Sequence, residues 1–410
     1  MLLRYRTRGF IMEDGERYRV LVDPRSGMPL FYPNLFVTAQ VRNRSLSVAS
    51  MDAVCAALNV LLTHCSTCGI DLEGRIRDRC FLNPAELDAI RDVCQRRFGK
   101  HDSAVVVPLR HSKANQRVQT GSEYVRLTHM ANYLRWLSHT MLGSAVDESA
   151  ARQIELIHRG LTSRRPIGRR NAEVKRGPTP AQVATLWEVV DPEGKKSPFQ
   201  DNSVRIRNAL MVDLLFYLGI RGGELLSLCT TDIDWDRCQI VIARRPDERT
   251  DPRKRQPLVK TLDRRIPLGD ALVDRLHTYI VKHRNKVSGA RRHVFLFVTH
   301  KSGATQGQPL SISSYRKVIR AIAAASAELK GLHGHLFRHG WNERFSEYMD
   351  RQEAPPSPEQ QEAMRSYAQG WKEGSGTSAT YNRRFVERKT HETQLQLQEK
   401  TIRRPKGIDK

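Results

Sequence analysis

Gly-His-Leu-Phe-Arg-His-Gly-Trp-Asn-Glu-Arg, residues 334–344, is the stretch from which the rest of the chain is interpreted. On a helix, His335 and Arg338 are three residues apart and therefore share a face. An imidazole and a guanidinium on one face can bind the same small anion, and phosphate is such an anion. Histidine and arginine at this spacing also occur on many solvated surfaces, so the pattern gains its meaning only from other stretches.

The chain is strongly basic. Its 410 residues include 68 Lys+Arg against 44 Asp+Glu, a formal net charge of +24, so we expect nucleic acid as the partner and a membrane surface as the alternative. There is no run of 18 apolar residues, and the first eight residues lack the apolar core of a secretory signal, which favours a soluble, intracellular protein. A hydrophobic content of 39% at this length is typical of two or three globular domains.

The cysteines do not indicate a disulfide framework. There are seven of them, an odd number spread over a long chain, which is typical of reduced thiols. His64, Cys65 and Cys68 form the one cluster with metal-ligand spacing, but Cys80 and Cys94 stand alone and supply no second ligand pair. We therefore expect no metal site here.

The first 160 residues contain two kinds of pattern. In residues 1–45, Asp14-Gly15 lies between alternating runs and predicts a β-hairpin, which either forms an arm carrying Arg4, Arg6 and Arg8 to DNA or packs on the next domain. From Ser47 the apolar residues recur at helical intervals, and Asn83-Pro84 has the signature of a second helix start. Residues 46–160 are thus predicted to form a small all-helical domain.

Residues 161–178 lose the apolar period and form a basic linker. A solvated run of charge is one interpretation, but a positive tether between two domains is also what a clamp around a duplex needs, and the net charge favours the clamp. The candidate DNA-binding residues of this linker are Arg164, Arg165, Arg169, Arg170, Lys175 and Arg176.

Residues 179–410 are predicted to form a second domain, mostly helical with a small sheet. Thr179-Pro180-Ala181-Gln182 is a helix start signal with a threonine cap, a proline in the first turn and a returning glutamine. A helix over Asn202–Leu218 should end at Gly219. Further expected elements are strands or extended pieces at 239–243, 258–260, 265–268 and 294–298, and helices at 270–283 and 313–329.

The stretch Leu218-Gly219-Ile220-Arg221-Gly222-Gly223-Glu224-Leu225 places an arginine directly after a helix end. Glu224, three residues on, can pair with Arg221 and hold its guanidinium in one orientation. Alone, this would be interpreted as a surface ion pair. It is followed by Asp-Ile-Asp at 232–234 and by Lys-Thr-Leu-Asp-Arg-Arg-Ile-Pro-Leu at 260–268, which we expect on a hairpin.

Taken in order, these motifs resemble the catalytic domain of the tyrosine recombinases, the phage integrase family. The resemblance rests on Arg-x-x-Glu-Leu, Lys-Thr-x-x-Arg-x-Ile-Pro-Leu, His-x-x-Arg-His, Gly-Trp and a late tyrosine, and it extends over about residues 179–390. It implies a mainly α fold with a small β-sheet, in which an N-terminal helical DNA-binding domain, the core-binding domain, precedes a mixed α/β catalytic domain.

The resemblance also implies roles for individual residues. In the family, a tyrosine hydroxyl attacks a DNA phosphodiester, giving a 3′-phosphotyrosyl link and a free 5′-hydroxyl. By the match, Arg221 and Arg338 would bind the non-bridging oxygens, and Lys260 would protonate the leaving 5′-oxygen. The implied catalytic set is Arg221, Lys260, His335, Arg338, Trp371 and Tyr381, with Glu224 as a supporting residue.

Several positions have rivals. Lys254 is the other candidate lysine, although its neighbours do not fit the motif, and Trp371 could be an ordinary core aromatic. Tyr348 and Tyr367 precede Trp371, whereas Tyr381 follows it as the motif order requires. The sequence departs from the family in a ten-position gap from Trp371 to Tyr381, in an apparent insertion at 351–362 and in a polar excursion at 245–257.

The implied function is site-specific DNA recombination by an enzyme of a mobile genetic element. The expected partners are double-stranded DNA, three further copies of the chain in a tetramer on two DNA sites, and accessory DNA-bending proteins. The phosphotyrosyl bond retains the energy of the cleaved linkage, so no cofactor or metal is needed. Two alternatives remain at this point: a strand transferase like the type IB topoisomerases, and a DNA-binding protein that has lost catalysis.

Overall fold

A computed structural model describes residues 5–97, 117–167, 177–372 and 390–399. The chain divides into two compact units, Met1–Arg170 and Asn171–Lys410, which are described separately below. The described residues are mainly helical, with one two-stranded and one three-stranded sheet, so the predicted mainly α fold with little β-structure is confirmed.

Unit 1 begins with a β-hairpin. Strands β1 (Arg6–Ile11) and β2 (Arg17–Val22) pair antiparallel with Arg6 opposite Val22. The chain reverses through Gly15, whose φ of 93° lies in the left-handed region that favours glycine. Five of the six residues of β2 are buried, Leu21 fully. The strand packs on the helices that follow, which is the second of the two arrangements considered for this region.

The helices of unit 1 form around one apolar core. Asn83 caps α4 by accepting from the Glu86 N–H while the Glu86 carboxylate accepts from the Asn83 N–H, the reciprocal pattern that the sequence indicated at Asn83-Pro84. The short helices α1 and α3 were not predicted. The helices are α1 (Phe31–Val37), α2 (Val48–Thr67), α3 (Leu72–Arg77), α4 (Pro84–Cys94), α5 (Thr120–Leu142) and α6 (Glu148–Ser163).

Helix α2 is the one helix in the described part of the chain that is long and apolar enough to cross a membrane by length and composition. Its side chains Cys55, Leu58 and Leu61 are fully buried in the core of unit 1. Packing against α4 and α5 therefore accounts for its apolar character.

Unit 2 is built around helix α8, most of whose side chains are buried. Thr179 and Gln182 cap α7 reciprocally, and α8 ends at Gly219 in the left-handed conformation, both as predicted. The helices are α7 (Pro180–Val190), α8 (Asn202–Leu218), α9 (Gly222–Ser227), α10 (Asp270–Thr278), α11 (Ile312–Ala324), α12 (Gly334–Asp350) and α13 (Pro358–Gln369), and residues 390–399 are also helical.

A small antiparallel sheet accompanies these helices. Its strands β3 (Ile233–Asp234), β4 (Gln239–Ile242) and β5 (Arg264–Pro267) lie in the order β3-β4-β5, with Ile240 opposite Ile266. The strand expected at 294–298 is wrong: that segment forms only isolated bridges, at Phe295 and Val298. The side chains from Phe295 to Val298 are buried, but the backbone of the segment bonds mainly to loop residues. Burial without a regular ladder therefore produced the strand-like pattern.

Candidate active site

The first arginine of the candidate site lies in the turn between α8 and α9. Gly219 has φ 63°, and a Cβ there would come within 2.6 Å of the Trp341 ring, so the turn requires glycine. The chain then presents Arg221 directly before α9. Its backbone N–H donates to Glu224 Oε2 at 3.1 Å and its Nη1 donates to Glu224 Oε1 at 3.3 Å. The guanidinium remains partly open to solvent because 28% of the side chain is exposed.

Glu224 is the centre of a buried polar network. Its carboxylate accepts from Thr261 Oγ1 and from Arg264 Nη2, both at 2.8 Å, and its side chain is fully buried. Burial alone would raise the pKa of Glu224, but the charge and hydrogen bond of Arg264, helped by Arg338, outweigh it and lower the pKa below its usual value. The carboxylate therefore stays ionised and joins the Arg221 turn to the 258–264 segment.

The 258–264 segment carries Lys260 outward from this network. Val259 and Thr261 are buried while Lys260 between them is exposed. At one end, a Cβ on Gly223 would lie 2.6 Å from the Leu258 carbonyl oxygen, so the segment passes against the start of α9. Towards the other end, the Leu262 N–H donates to the Gly370 carbonyl at 2.9 Å. Both flanks of Lys260 are thus held by backbone contacts.

Arg338 lies on α12 and is fully buried. Its Nη1 donates to the Gly219 carbonyl at 3.0 Å and its Nη2 donates to the Gln369 carbonyl at 2.9 Å. The guanidinium carbon lies 5.3 Å from the centre of the Trp371 ring, which is itself 6% exposed. A phosphate can therefore reach Arg338 only if a neighbour such as the segment carrying Trp371 moves.

His335 occupies the first turn of α12, next to His339, with the two ring centres 4.6 Å apart. His335 is exposed to solvent, although part of its ring packs against neighbours. Burial of that part, followed by the positive charges of His339, Arg338 and Arg221, lowers the pKa of His335 to about 4. The imidazole is consequently neutral near pH 7 and can act there as a proton acceptor.

We expect the His335 ring to titrate with a midpoint near pH 4, well below the pKa of free histidine. The assignment is made by NMR titration of ring-labelled histidine in the full-length protein, comparing wild type with His335→Asn. His339→Asn removes one of the neighbouring charges and should move the midpoint upward. A midpoint near pH 6.5 would contradict the geometry described here.

The remaining candidates are placed as follows. Tyr381 and four linker residues lie outside the described residues: Arg169, Arg170, Lys175 and Arg176. Arg164 donates to Asp88 at 2.7 Å, and the Arg165 guanidinium lies 4.8 Å from the centre of the Tyr124 ring, so both contact their own unit. Within the described ranges, no group of three His, Cys, Asp or Glu side chains could hold a metal ion.

The order of motifs in unit 2 matches a known family. A sequence profile described as the phage integrase family matches residues 179–354. Unit 2 therefore contains a segment that matches the phage integrase family. The matched integrase segment ends before Trp371 and Tyr381, and it contains Arg221, Lys260, His335 and Arg338.

Individual proteins resemble the chain more distantly. Tyrosine recombinase XerD of Halalkalibacterium halodurans is 23% identical over 167 residues, 41% of this chain and 48% of that protein, so the match spans about half of the relative's length. The crystal structure of XerA recombinase aligns with 88% of this chain and 97% of its own at 14% identity and a TM-score of 0.36. XerH site-specific recombinase bound to palindromic difH substrate aligns with 88% and 92% at 14% identity and a TM-score of 0.42.

Unit 2 contains a site residue whose role the sequence did not reveal. Arg264 is almost fully buried and its guanidinium donates to Thr261 and Glu224, while its Nε donates to the Ala368 carbonyl at 2.8 Å. It therefore fixes the Lys260 segment to the end of α13. The Lys-Thr-x-x-Arg motif contained this arginine, but its spacing alone gives no indication that the side chain points inward.

The two candidate lysines of unit 2 differ in their surroundings. Both Lys254 and Lys260 are exposed. Lys254 follows Arg253, whose Nη1 donates to the Leu226 carbonyl at 3.0 Å and the Leu310 carbonyl at 2.9 Å and so fastens the 245–257 excursion to the core. Lys260 instead adjoins Thr261, which donates to Glu224. The contacts of Thr261 favour Lys260 as the lysine of the site.

Proposed function

We propose that the protein is a site-specific DNA recombinase that cleaves and rejoins duplex DNA through a 3′-phosphotyrosyl intermediate. The proposal rests on one observation: two arginines that are far apart in sequence lie at the same turn. The Gly219 carbonyl accepts from Arg338 at 3.0 Å, and Arg221 follows two residues later. Two guanidiniums at one turn, in a unit that matches the phage integrase family, suit the extra negative charge of a phosphate under attack.

In this mechanism Arg221, the guanidinium open to solvent, binds a non-bridging oxygen first. Arg338 binds the phosphate as well, once the neighbours that bury its guanidinium have moved. The Tyr381 oxygen attacks phosphorus, forming the phosphotyrosyl bond as the bond to the 5′-oxygen breaks. Lys260 donates a proton to that oxygen, and a neutral His335 can accept the proton of the tyrosine. Attack by a 5′-hydroxyl reverses these steps and rejoins the strand.

The indole of Trp371 packs against Arg338 and would hold it in place while the phosphate is bound. We also propose that residues 46–160 are the core-binding domain and that the linker at 161–178 lets the two units enclose the duplex. Four protomers on two DNA sites, with accessory bending proteins, would complete the assembly. The enzyme would act in the cytoplasm in association with the nucleoid.

The test is covalent capture of DNA by the full-length protein. The probe is a pool of duplexes with a randomised central segment and staggered nicks, so that cleavage near a nick releases a short strand and prevents religation. We expect a protein–DNA product that survives denaturant and is removed by protease. Sequencing the captured DNA gives the target site, from which a two-site joining assay is built.

Each other outcome counts against the proposal. Binding of the pool without any covalent product would show a DNA-binding protein without strand cleavage. Capture followed by relaxation of supercoiled DNA, with no joining of two captured sites, would show an enzyme of the topoisomerase type. Salt titration of binding to the pool provides the control for phosphate contacts, since affinity should fall steeply as salt rises.

A further inference from the structure

Tyr315 on α11 fills the space between the starts of two active-site helices. A Cβ on Gly222, the residue after Arg221, would lie 2.8 Å from the Tyr315 Cε1 atom. A Cβ on Gly334, the residue before His335, would lie only 1.9 Å from the Tyr315 hydroxyl oxygen. Both contacts are shorter than real Cβ atoms make, so the ring fits because both positions are glycine.

The Tyr315 side chain cannot easily move away from this position. It is 8% exposed and belongs to the main apolar core of unit 2. Its hydroxyl is buried, and no hydrogen-bond partner for it lies in the described part of the chain. Burial raises the pKa of the Tyr315 hydroxyl, so it stays protonated and is not a rival nucleophile. The Tyr315 side chain is therefore a rigid ring that can rotate about only two bonds.

We propose that Tyr315 is a positioning residue that sets the distance between the Arg221 turn and the first turn of α12. The ring touches Gly222 on one side and Gly334 on the other, and the next residues beside these glycines are Arg221 and His335. The separation of the two functional side chains is thus fixed by a third helix that contributes no group to the reaction. This role rests on the proposed strand cleavage.

The contact at Gly334 offers a test by compensation. In Gly334→Ala the new methyl group meets the Tyr315 hydroxyl, whereas without that hydroxyl its nearest neighbour becomes Cζ at 3.1 Å, a tight but tolerable distance. Alanine is also the better helix former, so any loss in this variant comes from the clash and not from helix propensity. Gly222→Ala is the matched control, because Cε1 at 2.8 Å and Cζ at 2.9 Å remain after the hydroxyl is removed.

The experiment is a double-mutant cycle on the rate of covalent capture, measured in single turnover with the captured site as probe. We expect Gly334→Ala to slow capture about 100-fold, as a displacement near 1 Å does, with DNA affinity retained. In the Tyr315→Phe background the same substitution should cost less than about tenfold. Gly222→Ala should cost the same in both backgrounds.

Thermal unfolding of the four Gly334 and Tyr315 combinations gives a second readout of the same contact without DNA. The positioning role would be overturned if Gly334→Ala captured DNA at the wild-type rate. It would also be overturned if the double variant improved on Gly334→Ala neither in capture rate nor in unfolding temperature. If Tyr315→Phe restored the unfolding temperature of Gly334→Ala but not its capture rate, the role would also be overturned, because Tyr315 would then contribute to stability alone. Failure of wild type to capture DNA contradicts instead the proposed function, and the unfolding cycle still reports the contact.

Discussion

Tyr381→Phe is expected to abolish covalent capture of DNA while binding to the same duplex is retained. Phenylalanine keeps the ring but lacks the oxygen that forms the bond to phosphorus, so no intermediate can accumulate. Tyr381 lies outside the described residues, and its assignment rests on the order of motifs in the sequence. The loss should therefore be complete and not a reduced rate, since phenylalanine cannot form the bond to phosphorus at all.

The measurement uses denaturing gels of the captured product together with a binding titration of the same variant. Tyr348→Phe and Tyr367→Phe are the matched controls, because both tyrosines are 66% exposed and lie on α12 and α13 close to the site in sequence. Both controls should capture DNA at wild-type rates. If Tyr381→Phe still captured DNA, or if Tyr348→Phe or Tyr367→Phe lost capture, another tyrosine would be the nucleophile.

Local signals in the sequence predicted much of the helical framework. The cap of α7 at Thr179 and the end of α8 at Gly219 were both predictable, because a capping box and a left-handed glycine act within one helical turn. The conformation of the 294–298 segment was not predictable from local signals. The residues from Phe295 to Val298 are buried, yet whether a buried run joins a ladder depends on partners that are distant in sequence.

The candidate site was predictable as a set of residue types but not as an arrangement. The resemblance identified Arg221 and Arg338 as members of one site, but nothing local indicates that both meet the Gly219 turn. Arg264 illustrates the limit further, because its guanidinium is buried by Glu224 and by the end of α13. Tyr315 gives no signal at all, since its role depends on two glycines in other elements.

The contacts of Arg264 make Glu224→Gln the second variant with a large expected effect. The substitution preserves the shape of the side chain and removes its charge. Arg264, with 1% of its side chain exposed, would then be buried without its carboxylate. Removing one partner of a buried ion pair costs about 3–5 kcal/mol, so we expect the free energy of unfolding of unit 2 to fall by about that amount.

The matched control is Glu188→Gln, which breaks the pair with Lys196 on the surface. Both side chains of that pair are more than half exposed, 56% for Glu188 and 65% for Lys196. Exposed pairs contribute about 1 kcal/mol or less, so this variant should unfold almost as wild type does. Denaturant titration followed by tryptophan fluorescence reports unit 2, where four of the five tryptophans lie.

The pH dependence of the Glu224→Gln effect separates lost charge from altered packing. Because the folded protein lowers the pKa of Glu224, its ionised form stabilises the fold fully above the unfolded value of about 4.3 and loses that contribution as pH falls through the folded pKa. The stability difference between wild type and Glu224→Gln should therefore be constant above about pH 5 and shrink below about pH 4.3. A difference that persists unchanged into acid would assign the loss to packing, and the buried Arg264 would then not depend on the charge of Glu224.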